Sequence, residues 1–144
     1  ARERALAFGA DAALDPADPG FAGLLREATG GRPLSVAFDF AGVAPVREQA
    51  MATLGEHGRL VLVGLTNKPL TVTNGTLVSY LRQQIRGHYG SEGQDVVDLV
   101  NLVRGGRLEF SRSVSGTFPL AEAARAVEAL EHKEGDPIRL VLKP

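Results

Sequence analysis

The sequence predicts an α/β fold: a parallel sheet flanked by helices, followed by a separate C-terminal β-α-β segment. Three observations predict it. Short β-rich runs alternate with amphipathic helical patterns, which is the signature of βαβ units. The run Arg59–Val63 (RLVLV) is almost continuously apolar, as suits a strand covered on both faces. Seventeen glycines and eight prolines in 144 residues provide the turns that many short elements need.

Taken in order, residues 1–8 read as the tail of a helix stopped at Gly9, and Ala12–Leu14 as a short strand. Asp18 is placed to cap a helix with Pro19 in its first turn, and Phe21, Leu24, Leu25 and Ala28 form its apolar face. Gly30 and Gly31 end that helix. Leu34–Phe40 is a strand closed by Gly42, and Pro45 opens a helix with a buried stripe of Val46, Ala50 and Leu54. After the strand Arg59–Val63, the stretch Gly64–Tyr80 is irregular, with a short helix from Thr76. Gln84–His88 is the next strand, and Gln94–Arg104 a helix packing Val96, Val97, Val100 and Val103. The character changes after Gly105-Gly106. Ser111–Phe118 is extended, Leu120–His132 is a helix through Ala123, Ala124, Val127 and Leu130, and Ile138–Leu142 is a final strand.

Composition narrows the function. Sixteen basic against seventeen acidic residues leave a net charge of −1, with no block of one sign. Neither nucleic acid nor a membrane surface is an expected partner. Cysteine is absent, which removes disulfides and thiolate metal sites together. No apolar run approaches the ~18 residues that span a bilayer, and no charged-then-apolar leader is present, so the expected setting is the cytoplasm. No repeat or low-complexity tract interrupts the pattern.

Candidate chemistry gathers where strands end on glycine. Phe40-Ala41-Gly42, Val63-Gly64-Leu65 and His88-Tyr89-Gly90 each follow a β-rich run. Each turn is equally what a strand needs in order to stop, so the residues alone leave ligand contact and turn geometry open. The spacing of Gly87, Gly90 and Gly93 is wrong for a phosphate loop. His57, His88 and His132 are scattered and lack any H-x-x-x-H partner, so no metal ligand is assigned. Asp39, set between Phe38 and Phe40, reads as a hydrogen-bonded structural carboxylate rather than a general base. No catalytic residue is assigned, and no G-x-S-x-G elbow indicates a hydrolase. Asn74-Gly75-Thr76 fits turn chemistry better than a glycosylation site.

The ordered motifs resemble the medium-chain dehydrogenase/reductase family, in its zinc-type alcohol dehydrogenase branch, over the whole chain. They are RERALAFGAD (2–11), FDFAG (38–42), GRLVLVGL (58–65), IRGHYG (85–90), GRLE with FPLAEAARAVEAL (106–109, 118–130) and GDPIRLVLKP (135–144). Six pieces in order and spacing carry what no single one would. The resemblance implies a partial Rossmann-type sheet lacking its first two strands, with residues 1–106 in the dinucleotide-binding domain and 107–144 returning to the catalytic domain. The Gly-rich pyrophosphate turn and the ribose-binding acid of that fold do not occur here.

The resemblance also implies a cofactor, NAD or NADP, bound at Phe40, Ala41, Gly42, Val63, Gly64, Leu65, His88, Tyr89 and Gly90. Arg139 would reach a pyrophosphate, where a planar guanidinium suits two phosphate oxygens. The bland alternative for Arg139 is a solvated arginine on an exposed strand. Zinc would act as Lewis acid on the substrate oxygen, through ligands outside this chain. The implied substrate is a small alcohol or carbonyl compound, and the implied assembly a homo-oligomer through the edge of strand 84–88. A piece of such an enzyme would be inactive alone. A zinc-independent quinone or enoyl reductase of the same superfamily, and a non-catalytic dimerisation module, are the rival readings.

Geometry follows from the same resemblance. Strands 34–40, 59–63 and 84–88 are expected to be parallel and adjacent with 59–63 central. The helices beginning near Pro45 and Thr76 should pack on them, and Gly42, Gly64 and Gly90 should share one edge. Residues 12–14 should stand apart from 34–40.

Overall fold

A computed structural model describes residues 2–144. Its contacts divide the chain into two compact units, Ala1–Gly90 and Ser91–Pro144.

In the first unit, helices α1 (Arg2–Ala7) and α2 (Phe21–Ala28) precede strand β1 (Leu34–Asp39). Helix α3 (Ala44–Thr53), strand β2 (Leu54–Leu62), helix α4 (Gly75–Tyr80) and strand β3 (Gln84–Gly87) follow. The sheet order is β1-β2-β3 and both pairings are parallel, as expected, with β2 central. Asp39, Leu62 and Gly87 fall in one register row, so the three strands finish level at one edge. The His88 amide carries the ladder one step further by donating to the Leu62 carbonyl at 3.0 Å.

The central strand is less regular than its apolar run predicts. Leu34 pairs with Leu54 but Val36 pairs with Arg59, so residues 55–58 bulge out of the ladder. His57 takes a left-handed φ of 57° there, and its amide donates to the Leu81 carbonyl.

The core sits on one face of the sheet. Met51, Leu54 and Leu60 are buried, with Leu34, Ala37, Ala50, Leu62, Leu70 and Val78 packed around them. Helices α3 and α4 thus cover the sheet where the sequence places them. The other face is less covered, with Val36 and Val61 half-buried. Phe38 and Phe40 stack on it at a centroid separation of 6.1 Å while remaining 61% and 73% exposed. The apolar run 59–63 is therefore not covered on both faces: Leu60 is sealed, Arg59 is exposed, and Val61–Val63 are half-buried.

Other expectations are corrected by local competition. Ala12–Leu14 forms no strand, since no neighbour offers it backbone partners. Asp18 does not cap α2. Its carboxylate accepts the Gly20 amide at 2.7 Å and its carbonyl accepts the Phe21 amide, which makes a tight turn and starts the helix after Pro19. The buried stripe of α3 is Arg47 and Met51, four residues apart, while Val46 and Ala50 are half-buried.

The second unit holds helix α5 (Gly93–Arg104), strand β4 (Val114–Pro119), helix α6 (Ala123–Glu131) and strand β5 (Arg139–Lys143). Strands β4 and β5 are parallel, with Val114 opposite Arg139. Residues 111–113 form a 3-10 turn rather than the start of an extended run, and 120–122 a second before α6. Ala126 and Ala129 are the buried residues of α6, because small side chains allow close packing; Ala124, Val127 and Leu130 lie outside. Val96, Val97, Val100 and Val103 of α5 are likewise exposed, so the expected packing of that face is not found.

Candidate functional site

The carboxyl edge of the three-stranded sheet is built around Asp39. Its strand ends here, and its carbonyl accepts both the Val63 and the Gly64 amides, at 2.9 and 2.7 Å. Its side chain turns back: Oδ1 accepts the Ala41 and Gly42 amides, at 3.1 and 2.9 Å. Its Oδ2 accepts Arg47 Nε at 2.6 Å, and Arg47 Nη2 donates to the Gly64 carbonyl at 2.7 Å. Both members of this ion pair are buried, at 7% and 5% exposure.

Burial alone would raise the Asp39 pKa. The Arg47 hydrogen bond, the Gly42 amide, the Arg47 charge and the Ala41 amide together overcome that and hold it below its ordinary 3.8. The carboxylate is the structural, hydrogen-bonded group that its setting in an apolar strand predicts.

Two glycines let the turns interlock. A Cβ at Gly64 would lie 2.5 Å from the Gly42 nitrogen and 2.7 Å from the Phe40 carbonyl carbon. Gly42 has φ +69°, and a Cβ there would come within 2.9 Å of the Leu65 carbonyl oxygen. No other residue type fits this approach without moving backbone. Phe40–Gly42 and Val63–Leu65 are therefore one packed feature. The third turn stays apart from that contact: a Cβ at Gly90, φ +61°, would meet nothing within 4 Å, and Tyr89 is 87% exposed.

What remains at this edge is a set of free backbone groups. Among the described residues, the Val63 carbonyl, the Leu65 amide, the His88 carbonyl and the Gly90 amide take no internal hydrogen bond. Acceptors and donors are thus displayed along the ends of two adjacent parallel strands. Arg139 lies in the second unit, exposed at the first position of β5. Sequence patterning does not single out Arg47, because an inward helix stripe is ordinarily apolar. The signal was present: a carboxylate inside an apolar strand demands a partner, and Arg47 lies in the first turn or so of the next helix.

A family model described as zinc-binding dehydrogenase matches residues 1–104 of the 144. The chain belongs to that family. Among solved structures, the chain is similar to an alcohol dehydrogenase from Thermus sp. ATN1, with TM-score 0.86 and 23% identity over 99% of this chain and 41% of that one. It is similar also to 2R,3R-butanediol dehydrogenase from Bacillus subtilis, with TM-score 0.84 and 20% identity over 99% of this chain and 40% of that one. A protein described as a short chain alcohol dehydrogenase from Escherichia coli CFT073, solved in complex with NADH, gives TM-score 0.84 and 19% identity over 99% of this chain and 41% of that one. At such identities the likeness carries the fold. The chain spans about two fifths of the length of these structures. No curated protein sequence matches it.

The residues present do not fit a zinc ion. Among the described residues, no group of three His, Asp or Glu side chains is gathered to hold a metal. No helix among them is long and apolar enough to cross a membrane.

Proposed function

We propose that this chain is the nicotinamide-facing part of an NAD(P)-dependent oxidoreductase of the zinc-type alcohol dehydrogenase kind, acting on a small alcohol or carbonyl compound. One observation carries the reading: the free Val63, Leu65, His88 and Gly90 backbone groups sit on the carboxyl edge of a parallel sheet, in a chain of this family. A carboxamide presents one acceptor oxygen and one donor NH₂, so it needs both kinds of partner, and this edge offers both. Phe40, Ala41 and Gly42 form the adjoining wall, where the lack of a Cβ at Gly42 and Gly64 keeps the backbone within reach of a flat ring. When bound, the nicotinamide supplies the hydride acceptor or donor. On this reading the residues of this chain bind and orient it.

Residues 1–106 belong, on this reading, to a dinucleotide-binding domain and 107–144 to a catalytic domain, with Arg139 directed to the pyrophosphate. Any catalytic zinc would take its ligands from residues beyond these. The chain alone should then turn over no alcohol with NAD(P) and added zinc. Its β3 edge, exposed at every position, favours a homo-oligomer through that strand. Sedimentation of the chain at high micromolar concentration should show dimers, and monomer throughout would remove that part of the reading.

The direct test is titration of ¹⁵N-labelled chain with NADH, followed by amide shifts. Movement concentrated at Leu65, Tyr89 and Gly90 is expected. No movement at millimolar NADH, or movement confined to other residues, would overturn the proposal.

A further inference from the structure

A peptide bond is planar and trans, so its carbonyl and its N–H point in opposite directions. Arg47 Nη2 holds the Gly64 carbonyl inward at 2.7 Å, under the sheet edge. The N–H on the far side of that same peptide plane belongs to Leu65, which has no internal partner and whose residue is 78% exposed. The guanidinium cannot swing, because Asp39 Oδ2 holds Nε at 2.6 Å and both side chains are buried. We infer that Arg47 is a positioning residue: by fixing the Gly64 carbonyl it aims the Leu65 N–H outward at the carboxamide of a bound nicotinamide. This rests on the cofactor reading above, but the orientation of the peptide does not.

Two properties make arginine the required type. One planar fork must serve a carboxylate and a carbonyl together, which a lysine ammonium on a flexible stem does not do in fixed geometry. The site must also hold this fork without an unpaired charge, and Asp39 provides that. A purely structural ion pair would need only the Asp39 contact. The second arm, reaching the peptide whose other face is free, is what a structural role leaves unexplained.

The test uses the full 144-residue chain, labelled with ¹⁵N and ¹³C, with wild type beside Arg47→Lys, Arg47→Gln and Met51→Ala. Met51 is buried on the same face of α3 and touches neither turn's hydrogen bonds, so its variant reports destabilisation alone. In both Arg47 variants the Gly64 ¹³C′ and Leu65 ¹⁵N shifts should move. NADH affinity read at Leu65 should weaken roughly three- to ten-fold, the worth of one well-placed neutral hydrogen bond. Met51→Ala should keep the wild-type shifts and affinity. The inference fails if the Arg47 variants keep the wild-type Gly64 and Leu65 signals, or if Met51→Ala loses them equally. If wild type itself ignores NADH, the cofactor reading falls while the Gly64 and Leu65 shifts still judge the orientation. Should the variants not fold, the Arg47 Nη2–H of wild type, which donates to the Gly64 carbonyl, decides. Exchange far slower than that of exposed arginines supports the clasp, and equally fast exchange overturns it.

Discussion

Asp39 accepts hydrogen bonds from two turns and one helix, and so couples three elements through a single residue. Replacing it by asparagine leaves the Arg47 charge buried without a counter-charge, which costs about 3–5 kcal/mol in comparable pairs. The pH dependence has a definite sign. A folded pKa below the ordinary 3.8 means that the unfolded chain binds the proton more readily. The stabilisation is therefore complete above the unfolded value and is lost as pH falls through the folded one. Urea unfolding of wild type and Asp39→Asn should differ by a constant amount above about pH 5, and by a shrinking amount below about pH 4. A gap that persists undiminished at pH 2 would contradict this account. At this scale the glycine turns were legible, because Gly42, Gly64 and Gly90 each follow a β-rich run. The Arg47 contact was not, because hydrophobic patterning ranks an arginine as surface. Whether a turn faces ligand or merely turns is decided by which backbone groups stay unpaired, and side-chain letters do not encode that.

The secondary elements were mostly readable, and their packing less so. Period and punctuation give the strand and helix positions, since these are local properties. Burial is not local. Val96, Val100 and Val103 fall at helical spacing on α5 and read as core, yet each is about half exposed. On α6, the inward residues are alanines that a hydrophobic scale underrates beside Val127 and Leu130. Urea midpoints can separate pattern from packing. Val100→Lys should change stability by less than about 0.5 kcal/mol, whereas Leu60→Ala, at a fully sealed position, should cost about 2–5 kcal/mol. Equal losses would mean that the α5 face is covered in solution, by a second copy or by another part of the chain.

For the whole molecule, the parallel order β1-β2-β3 and its level carboxyl edge follow the resemblance. The division into units was not visible as a composition shift, because α5 continues the helix-strand rhythm without a break. Between β3 and α5 the chain passes through His88–Glu92, exposed throughout. Chymotrypsin needs an aromatic residue in a backbone free to extend. Tyr89 meets this with 87% exposure and no secondary structure, whereas Tyr80 closes α4 and Phe40 is held in the Asp39 turn. Brief digestion should give first a cut after Tyr89, read by mass spectrometry. A first cut after Phe40 or Tyr80 would count against the rigidity argued for those turns.

The clasp at Asp39 also has a consequence in time. Its arm to Arg47 closes eight residues of chain, and the arm from Arg47 to Gly64 closes seventeen. Each doubling of loop length adds about 0.6 kcal/mol of closure entropy, so the short arm has the lower barrier. Parallel strands cannot pair until such connections form, which makes them slow. The strand-turn-helix 34–53 then assembles early, and the turn at Gly64 docks onto a guanidinium already in place. In stopped-flow chevrons, Asp39→Asn should mainly slow refolding, while Gly64→Ala should mainly speed unfolding. The residue that orders the finished edge would then be one that also sets the order of its assembly.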